Sequence, residues 1–376
     1  MSIPTQHYAL YLEKKQGTLE IKQLDVPELG PEEFLVRVEA AALNPADWKI
    51  LDHGIIVDKY PAILGFDGAG VVVKVGSAVK GFAVGDRVLV QTGSLPEDGT
   101  MIGTFQQYMR VRPTWATKIP PNLSFEEAAT VPSGVASSAL PLYSRDEGAQ
   151  SAKLIAPYEE GGRGRYAGQP IFILGGATSL GQYGASSPFR KLVGPYSRAS
   201  RHAAIQFARL SGFSPIVTTA SLHNADLLKS LGATHVLDRR LPTETLVKEA
   251  CAIAGKPFEL VYDAVSESDT LAAAYQATAP TGDLIVVLLN PIPGADPNSQ
   301  KRVHIAQGYL TKPVNLAASA ALLAKLPELL EKDEIKCNRH EVIPGGLRGV
   351  AVGFERLRRN QVSAVKLVVR PQEGLA

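Results

Sequence analysis

The stretch Ile171-Phe-Ile-Leu-Gly-Gly-Ala-Thr-Ser-Leu-Gly181 decides the fold of this 376-residue chain. An apolar run enters a glycine-rich turn at the point where a helix is expected to begin. Such a turn brings backbone N–H groups and a helix N-terminus up to a pyrophosphate. The spacing departs from G-x-G-x-x-G because Thr178 stands where a glycine is usual. Taken alone, the stretch is equally consistent with an ordinary strand–helix turn.

Apolar runs and helix-like stretches alternate after this turn. The predicted strands are 170–174, 214–219, 234–237, 260–262 and 284–289, and the predicted helices are 205–211, 224–231 and 243–254. Alternation at this spacing indicates βαβ units and a parallel sheet. The run 284–289 suits an edge strand and a central strand equally well.

The first part of the chain has a different pattern. The predicted strands 34–38, 71–75 and 87–90 are short and are separated by turn residues, which suggests a compact all-β unit. A last predicted strand, 364–369, is expected to return to this unit. Residues 147–168 are rich in Gly, Arg and Ala and are interpreted as a loop or linker.

The composition restricts the class of protein. A formal net charge of +2 gives no sign of a nucleic-acid partner or of an anionic membrane. No window approaches about eighteen uninterrupted apolar residues, so we expect no transmembrane helix. The N-terminal residues lack a signal-peptide pattern, so we expect a cytoplasmic location. With only Cys251 and Cys337, neither a disulfide framework nor a multi-cysteine metal site is expected.

The end of the second strand of the parallel sheet indicates which cofactor is bound. NAD-specific folds usually place Asp or Glu there to hold the ribose 2′-hydroxyl, and this chain has no carboxylate at that point. Ser221, His223 and Asn224 can donate hydrogen bonds to a 2′-phosphate, and Arg239 and Arg240 could add positive charge. The pattern favours NADP. The alternative for Ser221 and Asn224 is that they cap the next helix.

Five short motifs follow one another in the first part of the chain. They are Leu43-Asn-Pro-Ala-Asp-Trp-Lys49, Gly65-Phe-Asp-Gly-Ala-Gly-Val-Val72, Gly85-Asp-Arg-Val88, Gly103-Thr-Phe-Gln-Gln-Tyr108 and Ala128-Ala-Thr-Val-Pro-Ser-Gly134. In this order they resemble the medium-chain dehydrogenases/reductases, and the resemblance covers nearly the whole chain. It implies an α/β protein with a GroES-like β-rich catalytic domain (1–145), a Rossmann-type doubly wound parallel-sheet domain (146–310) and a C-terminal return (311–376). It also implies an active site in the cleft between the domains.

Within this family the chain is similar to the zinc-free branch. Zinc alcohol dehydrogenases have a cysteine three residues before the aspartate that corresponds to Asp47, and this chain has Asn44 there. They have a histidine where this chain has Phe66. Since neither residue supplies the thiolate or imidazole that catalytic zinc prefers, we expect no bound metal.

More narrowly, the motifs Asn44-Pro-Ala-Asp-Trp-Lys49, Ser221-Leu-His-Asn224, Leu289-Asn-Pro291 and Lys366-Leu-Val-Val-Arg370 are similar to those of trans-acting enoyl reductases, which assist polyketide synthases. The resemblance implies NADP contacts from Ala46, Asp47, Trp48, Lys49, Ala177, Thr178, Ser179, Leu180, Ser221, Leu222, His223, Asn224, Arg239, Leu289, Asn290 and Val365. It implies an acyl site lined by Val135, Ala136, Ser137, Ser138, Ala139, Leu140, Pro141 and Leu142.

The predicted reaction is NADPH-dependent reduction of an activated carbon–carbon double bond, in an enoyl, quinone or enone substrate. The developing enolate needs hydrogen-bond donors, and the α-carbon then needs a proton. Lys49 could stabilise the enolate, although we favour a contact with the cofactor ribose or phosphate. Tyr60 could donate a proton, although we favour simple packing, and no catalytic acid is assigned.

The substrate and the partners are less restricted by the sequence. The sequence leaves open whether the substrate is a small molecule or an acyl chain. It also leaves open whether the protein works with an acyl carrier or polyketide synthase or as a free-standing reductase, and whether it is a monomer or a homodimer. The alternative function is that of a cofactor-binding relative with little or no catalysis, or of a product impaired by an insert.

That insert, residues 184–203, interrupts the predicted first helix of the nucleotide fold. It contains Pro188, Gly194 and Pro195, which a helix interior does not tolerate. Joining Tyr183 directly to Ala204 would make one amphipathic helix from the phosphate turn. We predict a retained intron or a faulty gene model, and the alternative is a genuine surface excursion. Deleting the segment is expected to strengthen NADPH binding.

Overall fold

A computed structural model describes residues 3–95, 98–175 and 199–374 and, for residues 199–201, the backbone alone. Contacts between residues group the chain into two units. The first comprises Met1–Ser133, Tyr309–Asp333 and Cys337–Ala376, and the second comprises Gly134–Gly308 and Glu334–Lys336. Residues 134–145 thus lie in the second unit, whereas the sequence-based division assigns them to the first.

Strands and helices are numbered along the chain. The strands are β1 (Gln6–Leu12), β2 (Leu19–Asp25), β3 (Phe34–Ala42), β4 (Ala62–Ile63), β5 (Asp67–Val75), β6 (Arg87–Gln91), β7 (Tyr108–Val111), β8 (Ala116–Lys118), β9 (Ile171–Leu174), β10 (Ile216–Ala220), β11 (His235–Asp238), β12 (Phe258–Asp263), β13 (Thr278–Val286), β14 (Arg302–Ile305), β15 (His340–Val342) and β16 (Lys366–Val369). The helices are α1 (Pro45–His53), α2 (Phe125–Ala129), α3 (Pro132–Tyr143), α4 (Ala199–Leu210), α5 (Ala225–Leu231), α6 (Thr243–Ala254), α7 (Ser268–Ala277), α8 (Leu316–Glu331) and α9 (Gly349–Arg358). Within the described ranges, none of these helices has the length and apolar character needed to cross a membrane.

The first unit is built on a β-sheet with the strand order β15-β16-β3-β5-β6-β8, and β7 also pairs with β3. A second sheet has the order β2-β1-β4. Large side chains such as Phe34, Phe105, Met109 and Phe354 form the core of the unit. The C-terminal strand β16 pairs with β3 in antiparallel register, with Val368 opposite Ala42, so this strand belongs to the sheet of the first unit.

The second unit contains a parallel sheet with the order β11-β10-β9-β12-β13-β14. The strands are apolar because both faces of the sheet are covered. Phe172, Val217, Val261 and Leu284 are buried on one face, and the alternate residues Ile173, Tyr262 and Ile285 are buried as well. The strand order reverses between β9 and β12, and ligands of such sheets bind near this reversal, beyond the carboxyl ends of the strands. Strand β13 lies between β12 and β14, so its central position is now established.

Two segments of the second unit differ from a simple βα pattern. Residues 147–168 have neither helix nor strand, as predicted, but they pack closely: Tyr166 stacks on Phe213 with ring centres 5.0 Å apart. Helix α4 begins at Ala199, so residues 199–203 are helical, and their assignment to a helix interruption was wrong. The rest of the predicted insert, up to residue 198, lies outside the described residues.

One glycine of the sequence motifs has a clear packing role. A Cβ atom at Gly103 would lie 2.0 Å from the carbonyl oxygen of Leu64, so the two backbones approach as only glycine allows. We predict that Gly103→Ala lowers the free energy of unfolding by about 1–3 kcal/mol, as overpacking typically does.

The matched control is Gly30→Ala, where the nearest atom to the new Cβ is a Glu33 carboxylate oxygen at 3.4 Å. We expect a change within about 0.5 kcal/mol for this variant. Urea unfolding of both variants measures the difference, and equal losses at the two positions would contradict the packing argument.

Candidate active site

The phosphate turn starts at the carboxyl end of β9. Gly175 has φ 83°, a left-handed conformation that favours glycine. Its N–H donates to Thr219 Oγ1 at 2.7 Å, which ties the start of the turn to β10. The remaining predicted contacts of this turn lie outside the described residues; they are Ala177, Thr178, Ser179 and Leu180.

Two residues predicted to recognise a phosphate meet at the next strand ends. Arg239 Nε donates to Ser221 Oγ at 2.9 Å, and these residues follow the adjacent parallel strands β11 and β10. Arg240 instead pairs with Asp238, with Nη2 and Oδ2 3.0 Å apart. The geometry therefore presents a hydroxyl and a guanidinium together, a donor pair suited to a phosphate oxygen.

Ser221 and Asn224 lie at helix N-caps. Ser221 precedes a 3₁₀ turn formed by Leu222–Asn224, Asn224 precedes α5, and neither side chain makes a capping hydrogen bond. The two residues thus take the capping positions of the alternative, while their side chains are left for other partners. Asn224 Nδ2 lies 3.1 Å from His223 Nε2, and Leu222 and His223 are exposed.

The loops after β12 and β13 are joined at the same edge of the sheet. Asn290 Nδ2 donates to the Ser266 carbonyl at 2.8 Å, and the Val287 N–H donates to Ser266 Oγ at 2.8 Å. Leu289 is half-buried beside them. The structure thus brings the described second-unit cofactor candidates to the carboxyl edge of one sheet.

The first-unit cofactor candidates lie on α1 and just before β16. Ala46 and Asp47 are buried, whereas Trp48, Lys49 and Val365 are half-buried. Lys49 Nζ lies 5.9 Å from the centre of the Trp48 ring. Of the four helical candidates, Trp48 and Lys49 are therefore the side chains that a ligand can reach in this conformation.

The predicted acyl-site residues form most of α3, and all of them are buried. The Ser137 carbonyl accepts a hydrogen bond from Tyr262 Oη at 2.7 Å, and Ser138 Oγ donates to the Gly134 carbonyl at 2.9 Å. Contact between residues 135–142 and an acyl chain stays a prediction, since it requires exposure of this helix.

Tyr60, the candidate proton donor, packs against the apolar core of the first unit. Burial raises the pKa of its phenol, and the hydroxyl has no hydrogen-bond partner among the described residues. The geometry supports packing, and it assigns no proton donor.

A buried ionic cluster, here called the Asp67 cluster, consists of Asn44, Asp67, Ser133 and Lys366. Asp67 Oδ1 accepts from the N–H and Oγ of Ser133 at 2.8 and 2.6 Å. Its Oδ2 accepts from Asn44 Nδ2 at 3.0 Å and from Lys366 Nζ, which also donates to Asn44 Oδ1 at 3.1 Å. Asp67 is 0% exposed and Lys366 6%. The carboxylate thus has four donors and one compensating positive charge.

Sequence reasoning missed the role of Lys366 and Ser133. The available signal was a lysine at the start of the apolar strand β16, because a charged residue is almost never buried without a partner.

Asp47, next to the cluster, is also buried, and this burial raises the pKa of its carboxyl to about 8, with the nearby Asp67 charge adding to the rise.

The positions that hold zinc in zinc-dependent relatives have other contacts here. Phe66 is buried, with its ring centre 6.2 Å from that of Tyr309. Burial raises the pKa of the Cys337 thiol to about 12. Among the described residues, no group of three or more His, Cys, Asp or Glu side chains could hold a metal ion. The donor set does not fit zinc.

Known proteins share this fold and much of this sequence. Residues 30–121 match the alcohol dehydrogenase GroES-like domain, and residues 202–312 match the zinc-binding dehydrogenase family. The chain is 32% identical to the trans-enoyl reductase himH of Aspergillus japonicus, over 90% of this chain and 89% of that protein. It is also 32% identical to the trans-enoyl reductase ACTTS2 of Alternaria alternata, over 95% and 97%.

Solved structures agree on the fold. An alcohol dehydrogenase superfamily protein from Novosphingobium aromaticivorans matches with a TM-score of 0.75 and 24% identity, over 97% of this chain and 99% of that one. The quinone oxidoreductase from Coxiella burnetii matches with a TM-score of 0.66 and 20% identity, again over 97% and 99%. The chain belongs to the medium-chain dehydrogenase/reductase family, and it is an oxidoreductase.

The raised pKa of Asp47 predicts a pH-dependent stability. The carboxyl ionises at 3.8 in an ordinary setting and at about 8 in the folded chain, so unfolding releases a proton between these values. The stabilisation that the folded chain gains from protonated Asp47 is complete below pH 4 and is lost as the pH rises to about 8. Asp47→Asn should therefore gain stability relative to the parent protein between pH 5 and 8, by at most about 1.4 kcal/mol per pH unit.

The control is Asp98→Asn. Lys59 and Thr100 lower the pKa of Asp98 to about 2, so its contribution changes only below about pH 4. Urea unfolding at pH 5, 6, 7 and 8 measures both variants. A difference between Asp47→Asn and the parent that does not change with pH would show that Asp47 is ionised in the fold.

Proposed function

We propose that this oxidoreductase uses NADPH to reduce an activated carbon–carbon double bond and that it works without zinc. The contact between Ser221 and Arg239 is the observation that carries the choice of cofactor. In nucleotide folds of this kind, the ribose 2′ substituent lies at the end of the second strand. A hydroxyl and a guanidinium stabilise a phosphate there, whereas the 2′-hydroxyl of NAD calls for a carboxylate.

The chain's own residues would bind and orient the cofactor, which supplies the hydride when bound. Thr219 holds the first glycine of the phosphate turn, and Ser221 and Arg239 would bind the 2′-phosphate. On the first unit, Lys49 would contact the cofactor ribose or phosphate, or stabilise enolate charge. These roles follow the family resemblance and agree with the exposure of the side chains.

We propose a mechanism without zinc because the side chains at the corresponding positions are not available as zinc ligands. Phe66 is apolar, and Asn44 and Asp67 are both engaged by Lys366. Polarisation of the substrate carbonyl would then come from side chains, backbone N–H groups or water. Elemental analysis that finds one zinc per purified chain would overturn this part of the proposal.

The substrate class and the partner are proposed from the relatives. Two of them are named trans-enoyl reductases, which supports an enoyl thioester substrate and an acyl carrier or polyketide synthase as partner. A free-standing enone or quinone reductase is the second candidate, favoured by the likeness to a quinone oxidoreductase structure. A cytoplasmic location is proposed on the sequence pattern.

A reduction screen tests the proposed function. Quenching of intrinsic fluorescence by NADPH measures binding, and NADPH oxidation is then followed with 2-enoyl thioesters, enones and quinones. Binding with turnover of one substrate class is the expected result. Binding without turnover would instead favour a cofactor-binding relative, and absence of binding would overturn the proposal.

Arg239→Ala should weaken NADPH binding selectively. Loss of a charge-assisted hydrogen bond costs about 1.5–3 kcal/mol, so the NADPH Kd should rise about 10–150-fold while the NADH Kd stays near its parent value. Arg240→Ala is the matched control, because this arginine pairs with Asp238 and its loss should change the NADPH Kd little. Equal effects of Arg239→Ala on the two cofactors would contradict 2′-phosphate recognition.

A further inference from the structure

The Asp67 cluster places a buried positive charge beside Asn44, one of the two positions from which, by the family resemblance, zinc-dependent relatives take a metal ligand. Those relatives take ligands from the positions of Asn44 and Phe66. Here Asn44 Oδ1 and Asp67 Oδ2 both accept hydrogen bonds from Lys366 Nζ. The oxygen atoms that a cation would need are therefore occupied by an ammonium that belongs to the chain itself.

The charges of the cluster balance. The Lys366 side chain is 5% exposed and the Asp67 side chain 0% exposed, so neither charge is compensated by water. A buried charge is tolerated only when it is paired and hydrogen-bonded. The remaining carboxylate oxygen is satisfied by Ser133 at the start of α3. Asp47, the nearby second carboxyl, accepts the Asn44 N–H at 2.7 Å.

The cluster also joins two segments that carry cofactor candidates. Lys366 follows Val365, and Asn44 is the N-cap residue of α1, which bears Trp48 and Lys49. The Leu43 N–H donates to the Leu367 carbonyl at 2.9 Å, so the backbones run side by side at this point. The ammonium of Lys366 thus fixes the start of α1 against the start of β16.

We propose that Lys366 is a built-in cation that positions Val365, Trp48 and Lys49 for the cofactor, beside a position that supplies a metal ligand in zinc-dependent relatives. This inference rests on the proposed NADPH function. Lys366 is a positioning residue, because it acts through Asn44 and Asp67 and its own Nζ is satisfied by them.

Chemical rescue of Lys366→Ala tests the proposal. The variant leaves a cavity beside an uncompensated Asp67, so its Tm should fall and its NADPH Kd should rise about tenfold or more. Propylammonium, which matches the deleted part of the side chain, should raise the Tm and restore NADPH binding. Tetramethylammonium at the same ionic strength should do neither, because it cannot donate hydrogen bonds. In Lys366→Met the side chain fills the cavity, and propylammonium should have no effect.

A second variant keeps the proposal testable if Lys366→Ala does not fold. The double variant Asp67→Asn with Lys366→Met removes both charges of the ion pair, so it should fold. It loses the hydrogen bond from Lys366 to Asn44 that joins β16 to the start of α1. Its NADPH Kd should therefore stay raised although its Tm recovers. NADPH binding at the parent level in this variant would show a merely structural role and overturn the proposal, as would an absence of amine rescue in a folded Lys366→Ala.

Failure of the proposed function is a separate outcome. If the parent protein does not bind NADPH, the positioning role fails with it. The rise in Tm of Lys366→Ala with propylammonium still tests the internal cation, because that measurement contains no cofactor.

Discussion

The ion pair between Asp67 and Lys366 joins residues 299 positions apart in the chain. Asp67 begins β5 and Lys366 begins β16, which pairs with β3 in the middle of the first unit. Because an unpaired charge in a protein interior is costly, the first unit is complete only after the C-terminal strand has returned. The same pair holds the N-cap residue of α1, so the order of the first unit and the placement of its cofactor candidates depend on one buried interaction.

In the second unit, the polar candidate residues are brought together by the sheet itself. Parallel strands end at one edge of the sheet, so polar residues that are far apart in sequence meet there without any special long-range contact. Thr219, Ser221 and Arg239 come together in this way, each just before or after the end of a strand. The strands supply rigidity through their apolar side chains, and the short loops that follow them carry the hydrogen-bond donors.

The sequence was sufficient for features that depend on periodicity and less so for features that depend on distant partners. The parallel strands and the β-rich first unit could be predicted, as could the position of Ser221 and Arg239 after their strands. Strand β14 was missed because four residues are too few for a clear periodic signal. The last five residues of the predicted insert, 199–203, belong to helix α4, because a proline or glycine in a segment does not show where a helix resumes. The role of Lys366 could not be predicted, because spacing does not indicate a partner 299 residues away.

The reaction that we propose for this chain is transfer of hydride from NADPH to an activated alkene. The most direct measurement uses NADPH with deuterium at both C4 positions of the nicotinamide, a 2-enoyl thioester or an enone as acceptor, and mass spectrometry of the product. Because either face of the nicotinamide then transfers deuteride, we expect a saturated product with one deuterium at the β-carbon, formed in step with NADPH oxidation. Oxidation of the cofactor without deuterium in the product, or no oxidation by any activated alkene, would contradict it.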